Sequence, residues 1–174
     1  MIIFFDFISL LPIVIYFSLI YNFLLNPLKN IVDIFLFIYI LACDYLVKII
    51  KHLDYPKKFY NITRRPKGAY NTDYLSRNGK VSEDTPGFPS GHMTTITIFC
   101  VFMVLVKWQF NGSLSDFFVN NRRFCLVHLF LIIITGVARY VKKCHNMVQI
   151  VAGTIFGFIM SLLFYFMMKL FLLL

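Results

Sequence analysis

What most constrains this chain is the length of its apolar runs. Five stretches, 2–25, 28–50, 93–108, 124–138 and 147–174, are predominantly hydrophobic. A helix of about 20 such residues crosses the roughly 30 Å of hydrocarbon in a bilayer. The chain has 174 residues, is 59% hydrophobic with 21 Phe, and carries only 14% charged residues. A water-soluble domain of this size cannot enclose so much apolar surface, so lipid is the expected solvent. The third and fourth runs are short and are expected to extend into their flanks, while the fifth is long enough to tilt. The first run lacks a basic leading segment and a small-residue cleavage site, and it is too long for a cleaved signal peptide. The expectation is an all-α integral membrane bundle of about five transmembrane helices, a single domain over 1–174 with its site at one membrane face.

The connections are unequal. "NPLKN" and "QFNGSLSDFFVNNRR" are short, whereas 51–89 is long, polar, basic and rich in turn formers. A connection of that length in a compact protein is usually functional or disordered. Five crossings put 51–89 and the segment "RYVKKCH" on the same side of the membrane. Of the 17 Lys and Arg, nine lie between Lys48 and Lys80, and Arg139, Lys142 and Lys143 join them. Lys29, Lys107, Arg122, Arg123 and Lys169 belong to the other side. The positive-inside rule and anionic headgroups account for part of this bias. Concentrated cations also predict an anionic partner, more sharply a binding site for phosphate, and nucleic acid is not expected. Cys43, Cys100 and Cys125 fall inside apolar runs and act as small hydrophobes, while Cys144 sits beside His145. No CxxC pair is present, so the cysteines suggest neither a zinc site nor a disulfide framework.

Three polar pieces on the basic side carry chemistry. "KFYNITRRP" spaces Lys58 and Arg65 as K-x6-R-P, and an ammonium with a forked guanidinium suits a phosphate with several oxygens to neutralise. "PSGH" offers Ser90 as a helix N-cap and Gly91 for close backbone approach, at the positive end of a helix dipole where anions bind. His92 lies in the first turn of that helix, placed to exchange a proton with the group bearing the anion. "ARYVKKCHNMVQIVAG" adds Arg139 and His145, and a helix running from His145 sets Gln149 one turn further along the same face. Each piece alone is weak: an Arg-Pro is common, PSGH is usually a cap, and an interfacial histidine is often an anchor. Together they describe an anion cradle with two histidines.

In this order the pieces resemble the three-part signature of the type 2 phosphatidic acid phosphatase superfamily, which includes lipid phosphate and polyprenyl diphosphate phosphatases. The first part matches at Lys58, Arg65 and Pro66, the second at Pro89, Ser90, Gly91 and His92, the third at Arg139 and His145, continuing to Gly153. The resemblance covers 58–153. It implies a helical membrane bundle acting on a lipid phosphate monoester or diphosphate without metal or organic cofactor. It further implies His145 as the nucleophile forming a phosphohistidine, and His92 as general acid and then base. Lys58, Arg65, Ser90, Gly91 and Arg139 would hold the phosphate oxygens.

Two positions depart from the pattern. Ala138 stands where a serine is usual, removing a hydroxyl, and Gln149 stands where an aspartate is usual. A glutamine oxygen accepts the same hydrogen bond but brings no charge to stabilise an imidazolium. Its amide can also present the wrong end, the fault that costs about 10⁴ in turnover when Asn replaces the aspartate of a serine-protease triad. Two outcomes stay open: a working phosphatase, or a pseudoenzyme of the same family that binds lipid phosphate without hydrolysing it. Restoring a carboxylate with Gln149→Asp is expected to raise turnover, unless Asp44, Asp73 or Asp84 supplies the charge instead. His52, His128 and Lys169 are expected to pack, anchor or snorkel, and no repeated intramembrane charges or inverted repeat point to a transporter. Positive-inside counting puts the basic side in the cytoplasm. The resemblance implies a lumenal or extracytoplasmic site, and that is the expectation adopted. The sequons at Asn61 and Asn111 fall on opposite sides, so they cannot both be used.

Overall fold

The computed structural model describes residues 2–69, 84–109 and 112–172. Asp73 and Asn111 lie outside the described residues, as does the stretch 70–83 of the long basic connection.

All five apolar runs are helical. The first is broken into α1 (Ile2–Ser9) and α2 (Leu11–Leu25). Pro12, the second residue of α2, has no N–H to give the carbonyl four residues back, and the chain turns at Leu10. α3 (Ile31–Lys51) ends in the basic residues Lys48 and Lys51. After a 3-10 turn at Lys57–Phe59 comes α4 (Tyr60–Thr63), and then α5 (Gly91–Trp108), α6 (Leu114–Asn120), α7 (Arg122–Val141) and α8 (Met147–Leu172). The third and fourth runs do extend into their flanks. By length and hydropathy alone α5, α7 and α8 can cross a membrane, with mean hydropathy 1.5, 2.1 and 2.1. α2 is shorter at 15 residues, and α3 carries Asp33, Asp44, Lys48 and Lys51. The molecule is an all-helical bundle; among the described residues its extended pairing is a single bridge between Arg64 and Pro86.

α5 is the central helix and packs on α8, α7, α3 and α2. Its Ile96, Ile98 and Phe102 meet Leu36 and Ile40 of α3 and Phe164 and Tyr165 of α8 in the buried core. The Tyr39 ring stacks on Phe164 at 4.5 Å while its hydroxyl donates to the Met160 carbonyl at 2.9 Å, which fixes α3 against α8. The closest approach is between α5 and α8. A Cβ at Gly153 would lie 2.5 Å from the Ser90 carbonyl oxygen, and one at Gly157 would lie 2.7 Å from that of Thr94. Two glycines four apart thus let the backbones touch, as in membrane helix pairs. Thr94 Oγ bridges the seam, donating to the carbonyls of Ser90 (3.1 Å) and Gly153 (3.3 Å). The outer surface is the reverse of a water-soluble one, with Phe17 70%, Phe130 60% and Leu170 76% exposed.

Candidate phosphate site

The site lies at the end of the bundle where α3 and α7 finish and α5 and α8 begin. α7 stops when Lys143 enters the left-handed region (φ 53°), and the N–H groups of Cys144 and His145 turn back to the Arg139 carbonyl at 3.0 and 3.3 Å. α8 starts at Met147, where the fifth apolar run begins and two residues after His145. The reason is a capping box. Asn146 Oδ1 accepts the Gln149 N–H at 2.9 Å, and Gln149 Oε1 accepts the Asn146 N–H at 3.2 Å. The reciprocal pair satisfies two donors that a helix start otherwise leaves orphaned, and it holds His145 just ahead of the helix.

Gln149 is fully buried and its side chain is committed in every direction. Nε2 donates to the carbonyls of Ile62 and Arg64, both at 2.8 Å, while Oε1 faces His145 Nδ1 at 3.1 Å. Reversing the amide would set its oxygen against two carbonyls and its NH₂ against the Asn146 N–H. One orientation is therefore fixed, and Nδ1 of His145 must be the protonated nitrogen donating to Oε1. The Nε2 lone pair is left for chemistry. Asn146 Nδ2 adds bonds to the carbonyls of Asn61 (3.1 Å) and Ile62 (3.4 Å), so the two amides tie the segment before Arg65 to the start of α8. The same segment pairs with the residues leading into α5: Arg65 N–H to Thr85 at 2.9 Å, and Gly87 N–H to Thr63 at 2.8 Å. A Cβ on Gly87 would come within 2.8–2.9 Å of the Gln149 amide and of Arg65 Cγ. Only glycine fits there.

Ser90 occupies the N-cap position of α5, but its hydroxyl makes no capping bond. Ser90 N–H instead donates to the Gln149 carbonyl at 3.1 Å, joining the second piece of the signature to the third. Ser90 Oγ and His92 Nε2 are both buried without a hydrogen-bond partner. Such atoms cost free energy unless something polar meets them, and two of them at a helix N-terminus point to a polar ligand. The His92 ring also hydrogen-bonds the main chain of Ser9, at the α1–α2 break. His145 is gripped by Nδ1 and presents Nε2. Gly91 is not tightly approached: a Cβ there would meet only Val47 at an ordinary 3.8 Å. The close contacts belong to Gly87 and Gly153.

Arg139 is wholly buried, and together with Arg65 and Lys51 it acts on both rings. Burial first, and then the positive charges of Arg139, Arg65 and Lys51, hold the His145 imidazole well below the usual histidine range, with the Gln149 bond working the other way. His145 is therefore neutral at pH 7, as a nucleophile requires. Lys58 is exposed on the 3-10 turn with Nζ 5.0 Å from the Phe59 ring centroid. Lys51, from the last turn of α3, is the lysine brought to the histidines.

No acid replaces the missing carboxylate among the described residues. Asp44 is turned toward α2 and α5, where the Tyr16 hydroxyl and Thr95 Oγ1 (2.9 Å) donate to it. Asp84 offers its main-chain carbonyl to Arg64 at 3.0 Å. The sequence reading missed Lys51, Ser9 and the bracing role of Gln149. The signals for two of these were present, Asn146-x-x-Gln149 as a capping box and a basic last turn in α3. Nothing local marks Ser9.

No curated protein and no solved structure matches the chain. The model of the PAP2 superfamily matches residues 33–171, from α3 into the last turn of α8 and across all three polar pieces of the site. That span is most of the sequence, and the exposed apolar belt and long apolar helices fit a membrane protein with phosphatase-type chemistry: the chain belongs to the PAP2 superfamily.

Proposed function

We propose that the protein is a multi-pass membrane lipid phosphatase that hydrolyses a lipid phosphate monoester or diphosphate through a phosphohistidine on His145, with no metal. The observation that carries this reading is the fixed Gln149 amide, which leaves free the Nε2 lone pair of a neutral His145, at the end of the bundle that also holds the unpartnered Ser90 hydroxyl and His92 Nε2. His145 Nε2 attacks phosphorus as the bond to the lipid oxygen breaks, and His92, doubly protonated beside the bound phosphate anion, gives its Nε2 proton to that oxygen. His92 then takes a proton from water, whose oxygen displaces His145 from phosphorus and releases inorganic phosphate. Arg139, Arg65, Lys51 and the Ser90 hydroxyl balance charge on the phosphoryl oxygens, with Lys58 at the rim for an incoming headgroup. The five long helices serve as five crossings, and the site faces the lumen or the outside.

One observation favours a second reading. Gln149 is neutral, so the imidazolium formed on phosphorylation has a hydrogen-bond acceptor but no counter-charge, and a pseudoenzyme would bind lipid phosphate and stop there. Phosphate release by the purified chain from phosphatidate, a polyprenyl diphosphate and a soluble ester, with chelator present, separates the two. Release from a lipid substrate, with protein-bound phosphate trapped in an alkaline quench of wild type and absent in His145→Ala, is the expected result. Binding without release supports the pseudoenzyme, and release that vanishes with chelator overturns the metal-free mechanism. Protease cleavage of the 51–89 connection in sealed microsomes tests sidedness; cleavage from the cytosolic side overturns the lumenal assignment.

A further inference from the structure

The N-terminal helix belongs to the site through Ser9. This residue is 3% exposed and ends α1. Its main chain meets the His92 ring. Its hydroxyl donates to the Phe5 carbonyl at 2.9 Å and accepts from Arg139 Nη1 (3.4 Å) and Lys142 Nζ (3.2 Å). Lys142 Nζ is in turn paired with Asp6 Oδ1 at 2.6 Å, its side chain only 8% exposed. Asp6 lies three residues before Ser9, on the same side of α1, and α1 packs on α7. An exposed ion pair contributes little, but here the lysine is enclosed, though Asp6 is 34% exposed, and it shares a hydroxyl with a buried arginine. It locks α1 to the end of α7. The α1–α2 break leaves Ser9 at a turn rather than inside a continuous helix, so the place of its main chain depends on that lock.

We propose that Asp6 and Lys142 are positioning residues: their pair docks α1 on α7 so that the Ser9 main chain keeps His92 Nε2 aimed at the leaving oxygen. This rests on the reading of His92 as the general acid. A misplaced acid slows the departure of a basic alkoxide, which needs a proton, and hardly affects an acidic phenol, which leaves without one. A merely structural loss lowers both alike.

The test uses the full chain in detergent, with Asp6→Asn, Lys142→Met and the charge-swapped Asp6→Lys/Lys142→Asp, on an alkyl phosphate monoester and an aryl phosphate monoester of equal tail length. Each single variant is expected to lose about 10- to 100-fold in kcat on the alkyl ester, part of the roughly 10²–10⁴ that an acid supplies. The loss on the aryl ester is expected to stay below about 3-fold, with KM little changed on either. The swapped variant, which carries the comparison if a single variant does not fold, is expected to move the alkyl-to-aryl ratio back toward wild type. Equal loss on both esters, no loss on either, or a ratio the swap leaves low overturns the proposal while the phosphatase reading stands. A wild type that hydrolyses neither ester overturns that reading, and the inference with it.

Discussion

At position 149 a neutral amide has four hydrogen bonds to keep, two of them donated to carbonyls. An acid there can make neither donation. Gln149→Glu keeps the length but turns an oxygen toward Ile62 and Arg64, and Gln149→Asp withdraws from both. The gain in turnover expected from the sequence is therefore reversed. Each carboxylate variant is expected to lose stability at roughly 1–3 kcal/mol for every buried carbonyl stripped of its donor, seen as a lower thermal midpoint, with no rise in kcat. A tenfold gain in kcat at an unchanged midpoint would show that these bonds hold nothing in place. His145→Ala and His92→Ala are expected to remove phosphate release, by the order of 10⁴-fold or more for the nucleophile, while the protein still folds. Hydrolysis unchanged in His145→Ala would dismiss that nucleophile.

Between elements, the decisive contact is the glycine seam of α5 and α8. Gly153 lies against Ser90, whose N–H is held by the Gln149 carbonyl, so the seam sets both the helix spacing and the distance between the second and third signature pieces. Gly153→Ala would push a methyl group into a main-chain carbonyl that cannot swing aside. Overpacking of this kind costs about 1–3 kcal/mol, and here it also displaces the unpartnered Ser90 hydroxyl. The expected outcome is a lower unfolding midpoint together with a kcat/KM loss of at least tenfold. Gly112→Ala is the control for added bulk, because its Cβ would meet nothing within 4 Å, although its φ of 79° brings backbone strain of its own. Equal activity loss in the two variants would remove the seam as an explanation.

Across the whole molecule, one buried titration bears on stability. His145 is held low in the folded protein, so it stays neutral while the imidazole of the unfolded chain protonates near 6.5. The unfolded state then binds the extra proton, and stability present above about pH 6.5 is lost as pH falls below it, with a slope approaching about 1.4 kcal/mol per pH unit for each proton. Thermal midpoints in detergent between pH 8 and pH 5 are expected to fall on the acid side, and His145→Gln is expected to flatten the fall. An identical profile in that variant would assign the acid loss to other groups.

The apolar runs by themselves determined the helices, because continuous hydrophobic stretches of that length leave the backbone no other way to satisfy its polar groups in lipid. The order of the polar pieces likewise made the gathering of Arg65, His92, Arg139 and His145 legible, since an anion cradle with two histidines needs those residue types. The sequence could not show which lysine's charge reaches the two histidines. Lys58 fits a linear spacing, but the end of α3 carries Lys51 to the histidines. Nor could it decide the meaning of Gln149, whose partners at Ile62 and Arg64 lie more than 80 residues away. Ser9 reaches Arg139 across 130 positions only because a proline break and an ion pair fold α1 onto α7. Local periodicity fixes what a segment becomes, whereas which backbone oxygen faces which ring depends on how the helices pack, and close packing at the glycine seam decided that here.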